Sequence, residues 1–257
     1  MPCSWISDTV NGTVHCVACR KNRLAQCCRR SCLCLGIALI LAAHFLVLPK
    51  TSGYYGDPCF LNQTQMACMR HIVTGVIQVL EGLNETYWLD HGTLIGAVRR
   101  GDILPFDGDI DIARLVHNDK KKEKTAAYSF ARLLKARRMS GNMLSVTYEN
   151  CKVDMVRYKL KTITSAGGAK REVLSEWYPE SIEQTNIGKL KYLTATFEHN
   201  VSDILPLARL KFSGLSAAVP AKYMDYIKVR YPFTWRFTFP YKWKCWLPWN
   251  IASVWFG

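Results

Sequence analysis

The sequence predicts a mixed α/β (α+β) domain, a sheet flanked by helices, carried behind a single N-terminal transmembrane helix. Three observations predict it. Residues 32 to 48 are apolar except for His44. Residues 63 to 83 repeat apolar side chains at helical spacing. The stretch Asp109-Ile110-Asp111-Ile112 alternates acids with isoleucines, the two-residue period of a strand.

The first element fixes the compartment. Cys32 to Leu48 is short for a spanning helix but within the lower range. Arg20, Lys21, Arg23, Arg29 and Arg30 precede it, and an excess of cations keeps that flank cytoplasmic. A cleaved signal peptide would need a shorter charged region and a small-residue cleavage site. The expectation is therefore a single-pass type II protein. Residues 1–31 are expected to form a cytoplasmic Cys-rich basic tail, 32–48 the signal anchor, 49–62 a stem and 63–257 a lumenal domain. A short span suits the thinner membranes of the early secretory pathway, so the expected location is the Golgi or ER membrane. The sequons Asn62-Gln-Thr64, Asn84-Glu-Thr86 and Asn200-Val-Ser202 all fall on the lumenal side and are expected to carry glycans.

Of the eleven cysteines, seven lie before or within the anchor. Those beside basic residues are candidates for S-acylation, with a zinc site from Cys16-x-x-Cys19 and Cys27-Cys28 as the competing reading. Cys59, Cys68, Cys151 and Cys245 remain for an oxidising lumen. They suggest one or two disulfides in any of three pairings.

The formal net charge of +14 suits polyanionic partners such as nucleotides, anionic glycans or membrane surfaces. No nucleic-acid-binding signature accompanies it, so nucleic acid is not an expected partner. A hydrophobic content of 49% supports a sizeable core.

Along the body, residues 63 to 83 read as an amphipathic helix and Tyr87 to Leu89 as a short strand. Leu94 to Arg100 reads as a helix capped by Thr93, which would aim backbone N–H groups at phosphate. Ile110 to Leu115 is a strand, Lys120 to Arg138 a helix with a basic face, and Ser145–Tyr148 with Lys152–Tyr158 a hairpin. Pro220 opens a last helix, Ala221 to Arg230. Trp235, Trp243, Trp246, Trp249 and Trp255 crowd the tail, to cover the core, stack on a sugar or lie at a membrane interface.

The acidic strand carries the chemistry. By alternation Asp109 and Asp111 point the same way, while Ile110 and Ile112 point into the core. Neighbouring carboxylates repel, and a hard divalent cation, Mg²⁺ or Mn²⁺, would bind both. Asp154 in Val153-Asp154-Met155 is a third acid within an apolar strand, costly there unless paired or metal-bound. Its role is metal ligand or general base for an acceptor hydroxyl.

The runs Gly92-Thr93-Leu94-Ile95-Gly96-Ala97-Val98-Arg99 and Ile103-Leu104-Pro105-Phe106-Asp107-Gly108-Asp109-Ile110-Asp111 resemble those of the LicD family, the fukutin-like phosphotransferases. Phe106 stands where the family pattern has Trp, and His91 before Gly92 is less usual. The resemblance extends thinly from about residue 65 to about 232. It implies a nucleotidyltransferase-like fold and transfer of a phospho-alcohol or phospho-sugar group from a nucleotide-activated donor to a glycan acceptor. It also implies Asp107 as a third metal-binding acid beside Asp109 and Asp111. Gly92, Thr93 and Arg99 would bind the donor. The catalytic set is then Asp109, Asp111 and Asp154. The alternative is a non-catalytic scaffold or glycan-binding membrane protein of the same fold, against which the intact acids argue.

Overall fold

A computed structural model of the 257-residue chain describes residues 31–51, 59–164, 168–177, 198–237 and 245. Residues Phe60–Tyr241 cluster as one compact unit; Met1–Cys59 with Lys242–Gly257 form another. The tail cysteines before residue 31, the stem residues 52–58 and Trp243, Trp246, Trp249 and Trp255 lie outside the described residues.

In the first unit, residues 31–51 are helical, but a π-helix at Ala43–Val47 divides them. Among the described residues no helix is long and apolar enough to cross a membrane, so the expected spanning helix is not seen as one element. Its apolar side chains, including Leu33, Leu35, Leu39 and Leu46, are exposed.

The second unit holds the sheet. It begins with helix α1 (Gln63–Gly82). Asn62 caps it: its side chain accepts from the Gln65 N–H at 2.8 Å, while Gln65 Oε1 accepts from the Asn62 N–H at 2.9 Å. Met69, Ile72, Val73, Val76, Ile77 and Leu80 form its buried stripe. Each such side chain contributes roughly 1.5–3 kcal/mol by leaving water.

Strand β1 (Tyr87–Leu89) leads into helix α2 (His91–Arg100). Strand β2 (Ile110–Leu115) and helix α3 (Lys120–Ala136) follow. Strands β3 (Ser140–Gly141), β4 (Ser145–Tyr148) and β5 (Cys151–Thr164) come next, then β6 (Lys170–Glu176) and β7 (Glu198–Asn200). After a one-turn helix α4 (Val201–Ile204), strands β8 (Ala208–Phe212) and β9 (Leu215–Val219) form a separate hairpin before helix α5 (Tyr223–Arg230).

The main sheet runs β1-β2-β5-β4-β3, with β6 on β5 and β7 on β6. It is mixed: β2 and β5 are parallel, the other pairs antiparallel. The 14-residue β5 is the hub. Its first half pairs with β4 and its second half with β6, while β2 lies along Val153–Tyr158. Helix α1 packs on β4 and β5 and against α3. Cys68 on α1 is joined to Cys151 at the start of β5, with Cα atoms 6.2 Å apart. Cys59 is joined to Cys245 at 5.6 Å, so one of the three pairings is realised.

Candidate active site

The site is built where α2, β2 and β5 meet. Ile110 and Ile112 are fully buried, so β2 turns its odd-numbered side chains the other way. Asp111 is the register partner of Asp154 on β5. Asp109 stands one residue before β2, and its charge acts on both Asp111 and Lys152. Two neighbouring strands thus present Asp109 and Asp111 beside Lys152 and Asp154 on one face.

Electrostatics confirm the crowding around Asp111. Burial, then the charges of Asp109, Asp90, Asp107 and Asp154, push its carboxyl up to about 8. A cation is close: Lys152 Nζ lies 2.7 Å from Asp154 Oδ1. That hydrogen bond, aided by the charges of Asp109 and Asp111, raises the ammonium's pKa. The donors gathered around Asp111 are hard carboxylate oxygens carrying excess negative charge, a set suited to Mg²⁺ or Mn²⁺.

Helix α2 supports the strand. Its cap is Asp90, whose side chain accepts from the His91 N–H at 2.8 Å, not Thr93 as expected. Thr93 is buried, and its Oγ1 accepts from the Asp111 N–H at 2.9 Å. The Asp90 N–H donates to the Asp111 carbonyl at 3.1 Å. Asp111 is therefore clamped to α2 through both sides of its peptide. Asp107, buried in the turn before β2, lies directly over Gly92: a Cβ there would come 2.0 Å from Asp107 Oδ2. Gly96 gives the same clearance to the carbonyl of Asp102, 2.6 Å from where its Cβ would stand, which lets the loop carrying Asp107 lie on the helix.

Arg99, expected at donor phosphates, is engaged elsewhere. Its guanidinium donates to the carbonyls of Phe237 at 2.5 Å and Thr234 at 3.4 Å, and to that of Trp235. It ties α2 to the turn after α5. Its N–H donors are directed at backbone oxygens and not toward the acids of β2.

A second acidic group was missed in the sequence. Among the described residues, Asp90, His91 and Glu176 bring ligand-type atoms within 4.8 Å of one another, a possible metal-binding triad. Arg230 from α5 already supplies a cation there. Its guanidinium lies 2.5 Å from Glu176 Oε1 and 3.9 Å from Asp90 Oδ1, and donates to His91 Nε2 at 2.7 Å. His91 Nδ1 and the Tyr231 hydroxyl are hydrogen-bonded at 3.1 Å. Tyr226 donates to Asp90 at 2.7 Å, and the Tyr158 hydroxyl lies 3.2 Å from both acids. Burial pushes Asp90 up, but Arg230, His91 and the hydrogen bonds outweigh it and hold its carboxyl below the ordinary range. The two acidic groups differ in this balance, and the Asp109–Asp111–Asp154 face is the one in which negative charge prevails. Glu176 and Arg230 lie 86 and 140 residues from Asp90 and carry no local motif; the acid preceding Gly-Thr was the available signal.

The sequon asparagines Asn62, Asn84 and Asn200 are all exposed. Asn84 takes a left-handed φ of 55° just past α1, a conformation asparagine tolerates.

A sequence model of the family described as LicD/FKTN/FKRP, nucleotidyltransferase domain, matches residues 84–222, just over half of the chain. The chain belongs to the LicD family. Every acid of the Asp111 cluster lies inside the matched LicD segment. The ribitol 5-phosphate transferase FKRP of Mus musculus is 34% identical over 86 residues, 34% of this chain and 16% of that protein. The Homo sapiens protein of that name is 42% identical over 66 residues, 26% of this chain and 13% of its own. This LicD chain therefore matches less than a fifth of either relative's length. Among solved structures, the cyclic dinucleotide synthase CdnE of Elizabethkingia meningoseptica, with GTP and Apcpp, aligns over 53% of this chain and 56% of its own. The TM-score is 0.30 and the identity 12%.

Proposed function

We propose that this LicD protein is a metal-dependent transferase of the secretory pathway. It moves a phospho-alcohol or phospho-sugar group from a nucleotide-activated donor to a glycan or glycoprotein acceptor. The observation that carries the reading is the Asp111–Asp154 register pair with Asp109 beside it, the carboxyl of Asp111 being pushed up to about 8 by burial and by the neighbouring acids. Asp109 and Asp111, with Asp107 behind them, would hold Mg²⁺ or Mn²⁺. Bound there, the cation would supply charge neutralisation to the donor diphosphate.

The protein's own groups do the rest. Gly92 and the first turn of α2 leave backbone room beside the acids, and Thr93 fixes β2 so that the carboxylates do not drift. Asp154 takes the proton of the acceptor hydroxyl. The acceptor oxygen bonds to the phosphorus carrying the transferred group, the bridging P–O bond breaks, and a nucleoside monophosphate leaves. Arg99 has no donor role in this scheme; it holds the C-terminal turn.

The same reading takes residues 32–48 as a single-pass anchor in the Golgi or ER membrane, with the body lumenal and glycosylated at Asn62, Asn84 and Asn200. The exposed apolar side chains of the segment support it, as does the basic flank. Incubating the purified protein with a panel of nucleotide-activated sugars and alditols, a glycan acceptor and Mg²⁺ or Mn²⁺ tests the activity. Transfer should occur and should be lost with chelator and in Asp109→Asn. Transfer that persists in either case contradicts the metal role.

A further inference from the structure

Lys152 is the feature of the site that neither the acids nor the family motif account for. It sits two residues before Asp154 on β5, so both side chains emerge on the same face. Asp109, one residue before β2, is among the acids whose charge reaches it. Its ammonium lies 2.7 Å from Asp154 Oδ1, yet the side chain is 51% exposed. A lysine is a compact point charge on a flexible four-carbon stem, able to swing between partners without rebuilding the strand. While Asp154 Oδ1 is bonded to that ammonium, it is not open to an acceptor hydroxyl.

We propose that Lys152 is a donor-binding residue held in reserve on Asp154: it leaves Asp154 for the donor's diphosphate oxygens, and in doing so frees Asp154 for the acceptor. This rests on the phosphotransferase reading above and adds a specific order to it. The ammonium occupies Asp154 before the nucleotide arrives, so it competes with any cation drawn to that carboxylate. Once two phosphates are present, their charge outbids the single carboxylate. The same motion that grips the donor therefore uncovers the base, which couples donor binding to readiness for the acceptor.

The proposal predicts opposite effects on two ligands, which a plain surface ion pair would not give. Exposed pairs are worth about 0.2–1 kcal/mol, so Lys152→Ala should bind Mn²⁺ more tightly, by roughly 1.4- to fivefold. The same variant should bind nucleoside diphosphates, in saturating Mn²⁺, about tenfold more weakly. Lys152→Arg should recover most of the nucleotide affinity, and Lys152→Gln should not. Mn²⁺ is read by electron paramagnetic resonance and ADP, CDP, GDP and UDP by calorimetry on the full-length protein in detergent. Thermal denaturation checks that each variant is folded. With the best of the nucleotide donors, Lys152→Ala should raise KM more than it lowers kcat. Unchanged affinity for both ligands, or a fall in Mn²⁺ affinity, overturns the role of Lys152. If the wild-type protein itself binds neither Mn²⁺ nor any nucleotide, the phosphotransferase reading fails first.

Discussion

Oδ2 of Asp107 occupies the space a side chain on Gly92 would need, 2.0 Å from an ideal Cβ. The Asp107 carboxylate therefore keeps this position over α2 only with glycine at position 92. Gly92→Ala should displace Asp107, weaken Mn²⁺ binding by tenfold or more and cost about 1–3 kcal/mol of stability. Calorimetric metal titration beside a denaturant melt measures both. An alanine variant with unchanged metal affinity would show that Asp107 does not shape the site.

Asp111 gives a pH signature. Its carboxyl titrates near 8 in the folded, metal-free protein, against about 4 when unfolded. A carboxyl raised in this way favours the fold while it is protonated and loses that contribution as pH rises toward 8. In EDTA, the melting temperature should fall between about pH 4 and 8 through this group. Asp111→Asn should flatten the slope, melt higher than wild type at pH 8 and lose the stabilisation by Mg²⁺. A variant with the wild-type slope would contradict the crowding.

Arg230 is the opposite case, a buried cation that balances acids. Arg230→Met leaves Asp90 and Glu176 facing each other with side chains 0% and 2% exposed, and should cost about 3–5 kcal/mol. Because Asp90 is held below the ordinary carboxylate range, the stability it contributes is present above about pH 4 and lost on further acidification. Urea melts at pH 7 and pH 3 measure the two effects. A wild-type melt for the methionine variant would mean that the network is dispensable.

Topology can be read without disturbing the fold. Thr64→Ala removes the Asn62 sequon but leaves Asn62 free to cap α1, whereas Asn62→Gln would break the cap and cost about 1 kcal/mol. Protein from secretory cells should shift in mobility on glycosidase treatment, and Thr64→Ala should remove one increment. No shift in any form would refute a lumenal body.

What the sequence revealed, and what it hid, follows from the range of the interactions. Tyr87–Leu89 and Ile110–Leu115 are strands where their periodicity predicts them, and α1 runs from Gln63 as its apolar stripe predicts. These are local patterns. The α2 cap was misread because Thr93 satisfies β2 and Asp90 takes the cap; either residue type suits the position. Strands β6 and β7 were not foreseen, since their pairing with β5 is set by long-range register and Lys170 to Glu176 is too charged to read as a buried strand. The partners of Arg99 and Arg230 were hidden for the same reason. A guanidinium in a sequence does not say whether it will meet a phosphate, a carboxylate or a backbone oxygen.

Phosphorus NMR of a single reaction mixture tests most directly whether the Asp109–Asp111–Asp154 face transfers a phospho-linked group. With a nucleotide-activated donor, a glycan acceptor and Mg²⁺, the diphosphate resonances should give way to equal amounts of nucleoside monophosphate and a new phosphodiester. Asp111→Asn and chelated samples should keep the donor intact. A folded wild-type protein that leaves every donor unchanged, or an Asp111→Asn protein that forms the phosphodiester at the wild-type rate, would contradict it.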